Sequence, residues 1–106
     1  MKCALAAIGF IDGNVGHNKA AIAETVKKCA GKTDAVIFGE AFLQGFYGIN
    51  FFTEHDEAVA IACDDAVIRE IGGIAKQYSG VVSFGVIEKG GDAFFSSQIN
   101  IEKKGR

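Results

Sequence analysis

Apolar and polar positions divide the chain into alternating strand and helix signatures. Residues 2–8 are nearly all apolar, as a strand covered on both faces would be, and predict a first strand. Residues 9–16 then read as a loop, with turn chemistry in Asp12-Gly13-Asn14. Asn18 is placed to cap a helix. Ile22, Val26, Cys29 and Ala30 follow at i, i+4, i+7 and i+8 as one apolar stripe. Lys27 and Lys28 suit the C-terminal end of the helix dipole, and Gly31 supplies a stop. Residues 35–39 form a second buried-strand run that leads straight into Glu40. Strand, helix and strand make a βαβ unit, with parallel strands and a right-handed crossover. Both strands then end at the same sheet edge. The loop after Ile8 and the loop at Glu40 are expected side by side.

Residues 41–56 break the periodicity and carry Phe42, Phe46, Tyr47, Phe51 and Phe52. An exposed loop rarely holds so many rings. Two readings stay open for Phe42, Phe46 and Tyr47, which lie closest to Glu40: caps on the core, or walls of a pocket. Phe51 and Phe52 read as core caps. A second helix is predicted from a cap at Asp64 or Asp65, with Val67, Ile71, Ile74 and Tyr78 on one face and an end by Gly80. Gly72-Gly73 weakens its middle by roughly 1 kcal/mol per glycine relative to alanine. Residues 81–87 predict a third strand, Lys89-Gly90-Gly91-Asp92 a hairpin turn, and residues 93–101 the returning fourth strand.

Composition narrows the function classes. At 106 residues the chain suits one small domain or one piece of a larger one, and 49% hydrophobic content supplies a core. A formal net charge of -2 gives no electrostatic case for nucleic acid or an anionic membrane. No apolar run is long enough to span a bilayer. Cys3, Cys29 and Cys63 are odd in number, far apart and outside any C-x-x-C pair. Neither a disulfide framework nor a zinc site is expected, and reduced thiols fit a cytoplasmic protein. No cofactor is expected.

Most candidate chemistry reads as ordinary structure. Gly9, Gly13 and Gly16 stand between a strand and a helix, but their spacing is neither dinucleotide-binding nor P-loop. His17 and His55 lack partners at metal-ligand spacing. Ser96 and Ser97 fall inside a strand without nucleophile-elbow glycines. Cys3 and Cys29 read as small core residues, and Cys63 as a weak nucleophile candidate at a helix start. Glu40 differs by position: a carboxylate just past the end of a buried strand sits where open α/β sheets place ligands. Phe38 and Phe42 flank it with apolar surface, which suits a general base, while the residue taken alone reads first as a structural glutamate bonded to loop amides.

The blocks in order resemble the carbon–nitrogen hydrolase (nitrilase) superfamily. The resemblance is carried by the opening strand Lys2-Cys3-Ala4-Leu5-Ala6-Ala7-Ile8 and by Asn18 with the helix end Lys27-Lys28-Cys29-Ala30-Gly31. It is strongest in Asp34-Ala35-Val36-Ile37-Phe38-Gly39-Glu40-Ala41-Phe42-Leu43-Gln44-Gly45-Phe46, which is similar to the family's apolar strand, F-P-E and x-F-L-x-G-Y pattern. Val81-Val82-Ser83-Phe84-Gly85-Val86-Ile87-Glu88 and the strand at 93–101 with its turn continue it.

The resemblance implies the N-terminal part of an α-β-β-α sandwich, running β-α-β-loop-α-β-β over residues 1–106. It also implies a Glu-Lys-Cys triad that cleaves nonpeptide C–N bonds of amides, nitriles or carbamoyl compounds through a thioester. Glu40 matches the family's glutamate. Gly39 stands where proline is usual and Phe46 where tyrosine is common. No residue here matches the family's lysine or cysteine, so the expectation is a truncated, inactive piece whose parent acts on a small-molecule amide or nitrile. An exposed apolar sheet face is then expected, covered by self-association into a homo-oligomer or by a missing C-terminal segment. Two alternatives remain: a noncatalytic interaction subunit using that face, and a small α/β domain binding a nucleotide at residues 9–16.

Overall fold

The computed structural model describes residues 2–45, 58–62, 65–78, 80–91 and 93–102. Its elements run β1 (Cys3–Leu5), α1 (Val15–Cys29), β2 (Ala35–Ile37), α2 (Ala66–Tyr78), β3 (Val81–Gly90) and β4 (Ala93–Ile101). The four strands form one sheet in the order β1-β2-β3-β4. The first three are parallel, and β4 returns antiparallel to β3.

Pairing register separates the two faces of this sheet. Ala4, Val36, Val82 and Ile101 align as one row across it. All four join the cluster that includes Ile22 and Val26 of α1 and Ile71 and Ala75 of α2. Both helices therefore cover one face. The next row, Leu5, Ile37, Ser83 and Asn100, points the other way. There Leu5 is 78% exposed. The expected covering of the first strand on both faces is not met among the described residues, where its exposed-intermediate-exposed pattern leaves only Ala4 toward the helices.

Local chemistry moves several boundaries. β1 stops at Leu5 instead of Ile8, although Ala6 N–H still bonds Ile37 O at 2.8 Å. The cap of α1 is Asn14, four residues before the expected Asn18. Asn14 Oδ1 accepts from His17 N–H at 2.9 Å, which satisfies a free donor of the first turn. Gly13, at φ 76°, turns the chain into that position. Asn18 is thus a buried residue inside the helix, not its cap. Gly31 follows the helix end at φ 77°, as a stop should. Asp65 caps α2 by accepting from Val67 N–H at 3.0 Å, and Asp64 lies outside the described residues. β3 runs on to Gly90, which pairs with Ala93, so the hairpin turn is tighter than the four residues expected.

Candidate active site

Glu40 follows β2 within three residues and stands in a turn over residues 40–44. The turn is built on β3. Where β2 ends, β3 still has backbone groups facing that side, and the turn satisfies them in sequence. Phe38 N–H bonds Ser83 O at 2.7 Å, Gly85 N–H bonds Gly39 O at 3.2 Å, and Leu43 N–H bonds Gly85 O at 3.1 Å. The approach is close enough to require glycine. A Cβ on Gly85 would lie 2.5 Å from Gly39 O and 2.7 Å from the Glu40 carbonyl carbon. Ala41, next to Glu40, is the one described non-glycine residue at positive φ, 52°. That left-handed turn sets Glu40 apart from the buried residues after it.

Two buried side-chain amides hold the turn from its flanks. Asn18 accepts from Ile11 N–H at 2.8 Å and donates to Ile11 O at 2.9 Å and Leu43 O at 3.0 Å. Gln44 accepts from Ile87 N–H at 2.9 Å and donates to Ile87 O at 2.9 Å. Gly13 N–H bonds Gln44 O at 2.6 Å, and a Cβ on Gly45 would lie 2.6 Å from Asp12 Cα. The loop after β1 and the Glu40 turn are therefore neighbours, as the parallel pairing of β1 and β2 predicts.

The Glu40 carboxylate is exposed and accepts a hydrogen bond from Ser96 Oγ at 3.1 Å. A carboxylate has about four lone-pair sites, so one hydroxyl orients it and leaves capacity to take a proton. The polar row continues along the same side of β4. Gln98 donates to Phe38 O at 3.1 Å and Ser83 Oγ at 3.0 Å, and Ser83 Oγ donates to Asn100 Oδ1 at 2.5 Å.

Other sequence candidates fall elsewhere. Phe42 is buried, tilted against Phe38 with centroids 5.0 Å apart and edge-on to Phe10 at 5.7 Å. Of its two open roles, core packing is the one its surroundings fill. Phe38 is likewise buried, so neither ring covers the exposed carboxylate. Phe46, Tyr47, Phe51, Phe52, His55 and Cys63 lie outside the described residues. Cys3 is exposed at the start of β1, the sheet edge away from Glu40, and Cys29 is half-buried in α1. A cleft lined by Val26, Cys29, Thr33, Asp34 and Val81, among others, opens at that same far edge. In the loop at 9–16, the His17 N–H that a phosphate would use is already bonded to Asn14. Among the described residues no group of three or more His, Cys, Asp or Glu could hold a metal ion, and no helix is long and apolar enough to cross a membrane.

Sequence reasoning missed Gly85, Gln44 and the role of Ser96. An isolated glycine within a strand pattern signals close backbone approach, so Gly85 was readable. The alternation of Ser96, Gln98 and Asn100 placed them on one face. Gln44 offered no local signal, because its partner lies 43 residues away.

A mostly parallel sheet with both helices on one face, and a turn after its second strand seated against a glycine of the third, defines an α/β protein. Residues 9–106 match the carbon-nitrogen hydrolase family, and the chain belongs to it. Solved structures agree in fold. An amidase from Nesterenkonia sp. is 16% identical over 99% of this chain and 39% of its own, with a TM-score of 0.81. A CN-hydrolase superfamily protein from Xanthomonas campestris, with an arsenic adduct in its active site, is 18% identical over 100% of this chain and 38% of its own, with a TM-score of 0.82. A mutant of the Nesterenkonia amidase in complex with butyramide is 16% identical, covering 100% of this chain and 40% of its own, with a TM-score of 0.82. No curated protein matches the sequence. The fold is thus the N-terminal part of a nitrilase-like sandwich, and the chain spans 38–40% of the length of these structures.

Proposed function

We propose that this chain is the base-bearing N-terminal part of a hydrolase that cleaves nonpeptide C–N bonds in small amides, nitriles or carbamoyl compounds. Family membership supports the reaction class. The observation that carries the residue assignment is the placement of Glu40 on a turn seated against Gly85, at the sheet edge, with Ser96 bonded to one carboxylate oxygen.

In this reading Glu40 is the general base of a Glu-Lys-Cys triad. It takes the thiol proton as sulfur attacks the carbon of the amide. The C–N bond breaks, Glu40 passes that proton to the leaving nitrogen, ammonia departs, and a thioester remains. Glu40 then takes a proton from water, whose oxygen attacks the thioester and releases the carboxylic acid and the thiol. A lysine ammonium and backbone N–H groups face the oxyanion in both halves. No residue of this chain matches the lysine or cysteine positions, so the chain by itself is proposed to be inactive.

Ammonia release from a short aliphatic amide by the purified 106-residue chain tests this. The expected rate equals the blank. Steady turnover lost on Glu40→Gln would show that the chain carries a complete site and would overturn the division proposed.

A further inference from the structure

We propose that Gln44 is the positioning residue for Glu40: its side-chain amide replaces the missing strand beside β3 and so fixes the turn that presents the carboxylate. The proposal rests on reading Glu40 as the reactive group.

Gln44 is fully buried and four residues beyond Glu40. Its amide bonds both backbone groups of Ile87, accepting from N–H and donating to C=O, each at 2.9 Å. A neighbouring strand would make the same pair of bonds to such a residue. β2 stops at Ile37, so beyond it β3 would face this side with open backbone groups. Gly85 takes its partners from Gly39 and Leu43. Ile87 takes its partners from a side chain, and Ile61 bridges onward, with Ile61 N–H to Ile87 O at 3.0 Å and Lys89 N–H to Ile61 O at 2.8 Å. The Gln44 amide also donates to Val59 O at 3.3 Å.

The consequence falls on Glu40. The turn is pinned at Gly39 and Leu43 by Gly85, and at Gln44 by Ile87. Gly45 N–H to Ala41 O at 2.8 Å closes the turn between the pins. Removing the Ile87 pin leaves Gly39 and Leu43 held by Gly85 but loosens the C-terminal end of the turn, and the alignment of Glu40 with Ser96 weakens with it. An apolar side chain in the same space would preserve packing and lose only the alignment.

The test uses the 106-residue chain itself, by NMR. Gln44→Met removes both bonds with little change in volume, and Gln44→Glu keeps the acceptor for Ile87 N–H. Ser96→Ala supplies the Glu40 carboxyl carbon signal with its hydroxyl donor gone. In Gln44→Met, amide exchange at Leu43 and Gly85 is expected to rise by about 10-fold or more, because the buried Ile87 N–H loses its partner and Ile87 O keeps only Ile61 N–H. Ile22 and Val26 in α1 should keep their native exchange, and the Glu40 carboxyl signal should move toward its Ser96→Ala position. Gln44→Glu should lie between native and Gln44→Met. Native exchange and a native Glu40 signal in Gln44→Met would overturn the proposal. So would equal acceleration at Ile22 and Val26, or failure of both variants to fold, since either marks a general structural role. None of these readouts needs turnover. A parent enzyme that stays active after Glu40→Gln would remove Glu40 from the chemistry and leave the measured hold of Gln44 on the turn unchanged.

Discussion

At Gly85 the lack of a side chain decides where Glu40 stands. The residue lies in the middle of β3, where alternation would favour a β-branched residue, yet a Cβ there would run into Gly39 and Glu40 backbone. Gly85→Ala is therefore expected to destabilise the chain by about 1–3 kcal/mol, the range for overpacking a close contact. Its effect should concentrate on the Glu40 turn, and denaturant unfolding with amide exchange at Leu43 checks both. Glu40 itself was legible because an apolar run ending in Gly-Glu marks the end of a buried strand. Its partner Ser96 was not, being 56 residues away and brought close only by the β3–β4 hairpin.

Elements were legible by kind and shifted at their ends. The stripe of Ile22 and Val26 identifies α1, and both residues are buried. The start of α1 was misplaced because two asparagines compete for the cap and propensity does not separate them. The structure separates them by partner: Asn14 serves one helix N–H, while Asn18 serves three loop backbone groups. Asn14→Ala should cost about 1 kcal/mol, as a lost cap does. Asn18→Ala should cost more, at least about 2 kcal/mol, because it strands buried backbone groups of Ile11 and Leu43. Thermal unfolding of the two variants gives the order directly, and equal losses would return Asn18 to an ordinary capping role. β1 was overextended for a different reason. Its apolar run continues to Ile8, but the residues after Ala6 turn toward the Glu40 loop, where Phe10 meets Phe42.

Among the described residues, α1 and α2 cover one sheet face. The other face is divided between apolar residues on β1 and β2 and a polar row on β4. Lys19 and Glu70 pair between the helices at the surface, a contact that contributes little to stability. The hydrophobic pattern alone suggested a broadly apolar open face. Ser83, Ser96, Gln98 and Asn100 make it half polar, on the side where Glu40 stands. The apolar half, led by Leu5, is expected to drive self-association at micromolar concentration. Sedimentation should show a species larger than a monomer that Leu5→Lys weakens, and a clean monomer would contradict this. The most direct measurement of the central claim is ammonia release from a short aliphatic amide by a longer protein that carries this segment, compared with its Glu40→Gln variant. Glu40→Gln is expected to lose about 10²–10⁴-fold in the rate, the usual contribution of a general base, with the melting temperature unchanged. Near-native turnover in the variant would contradict it.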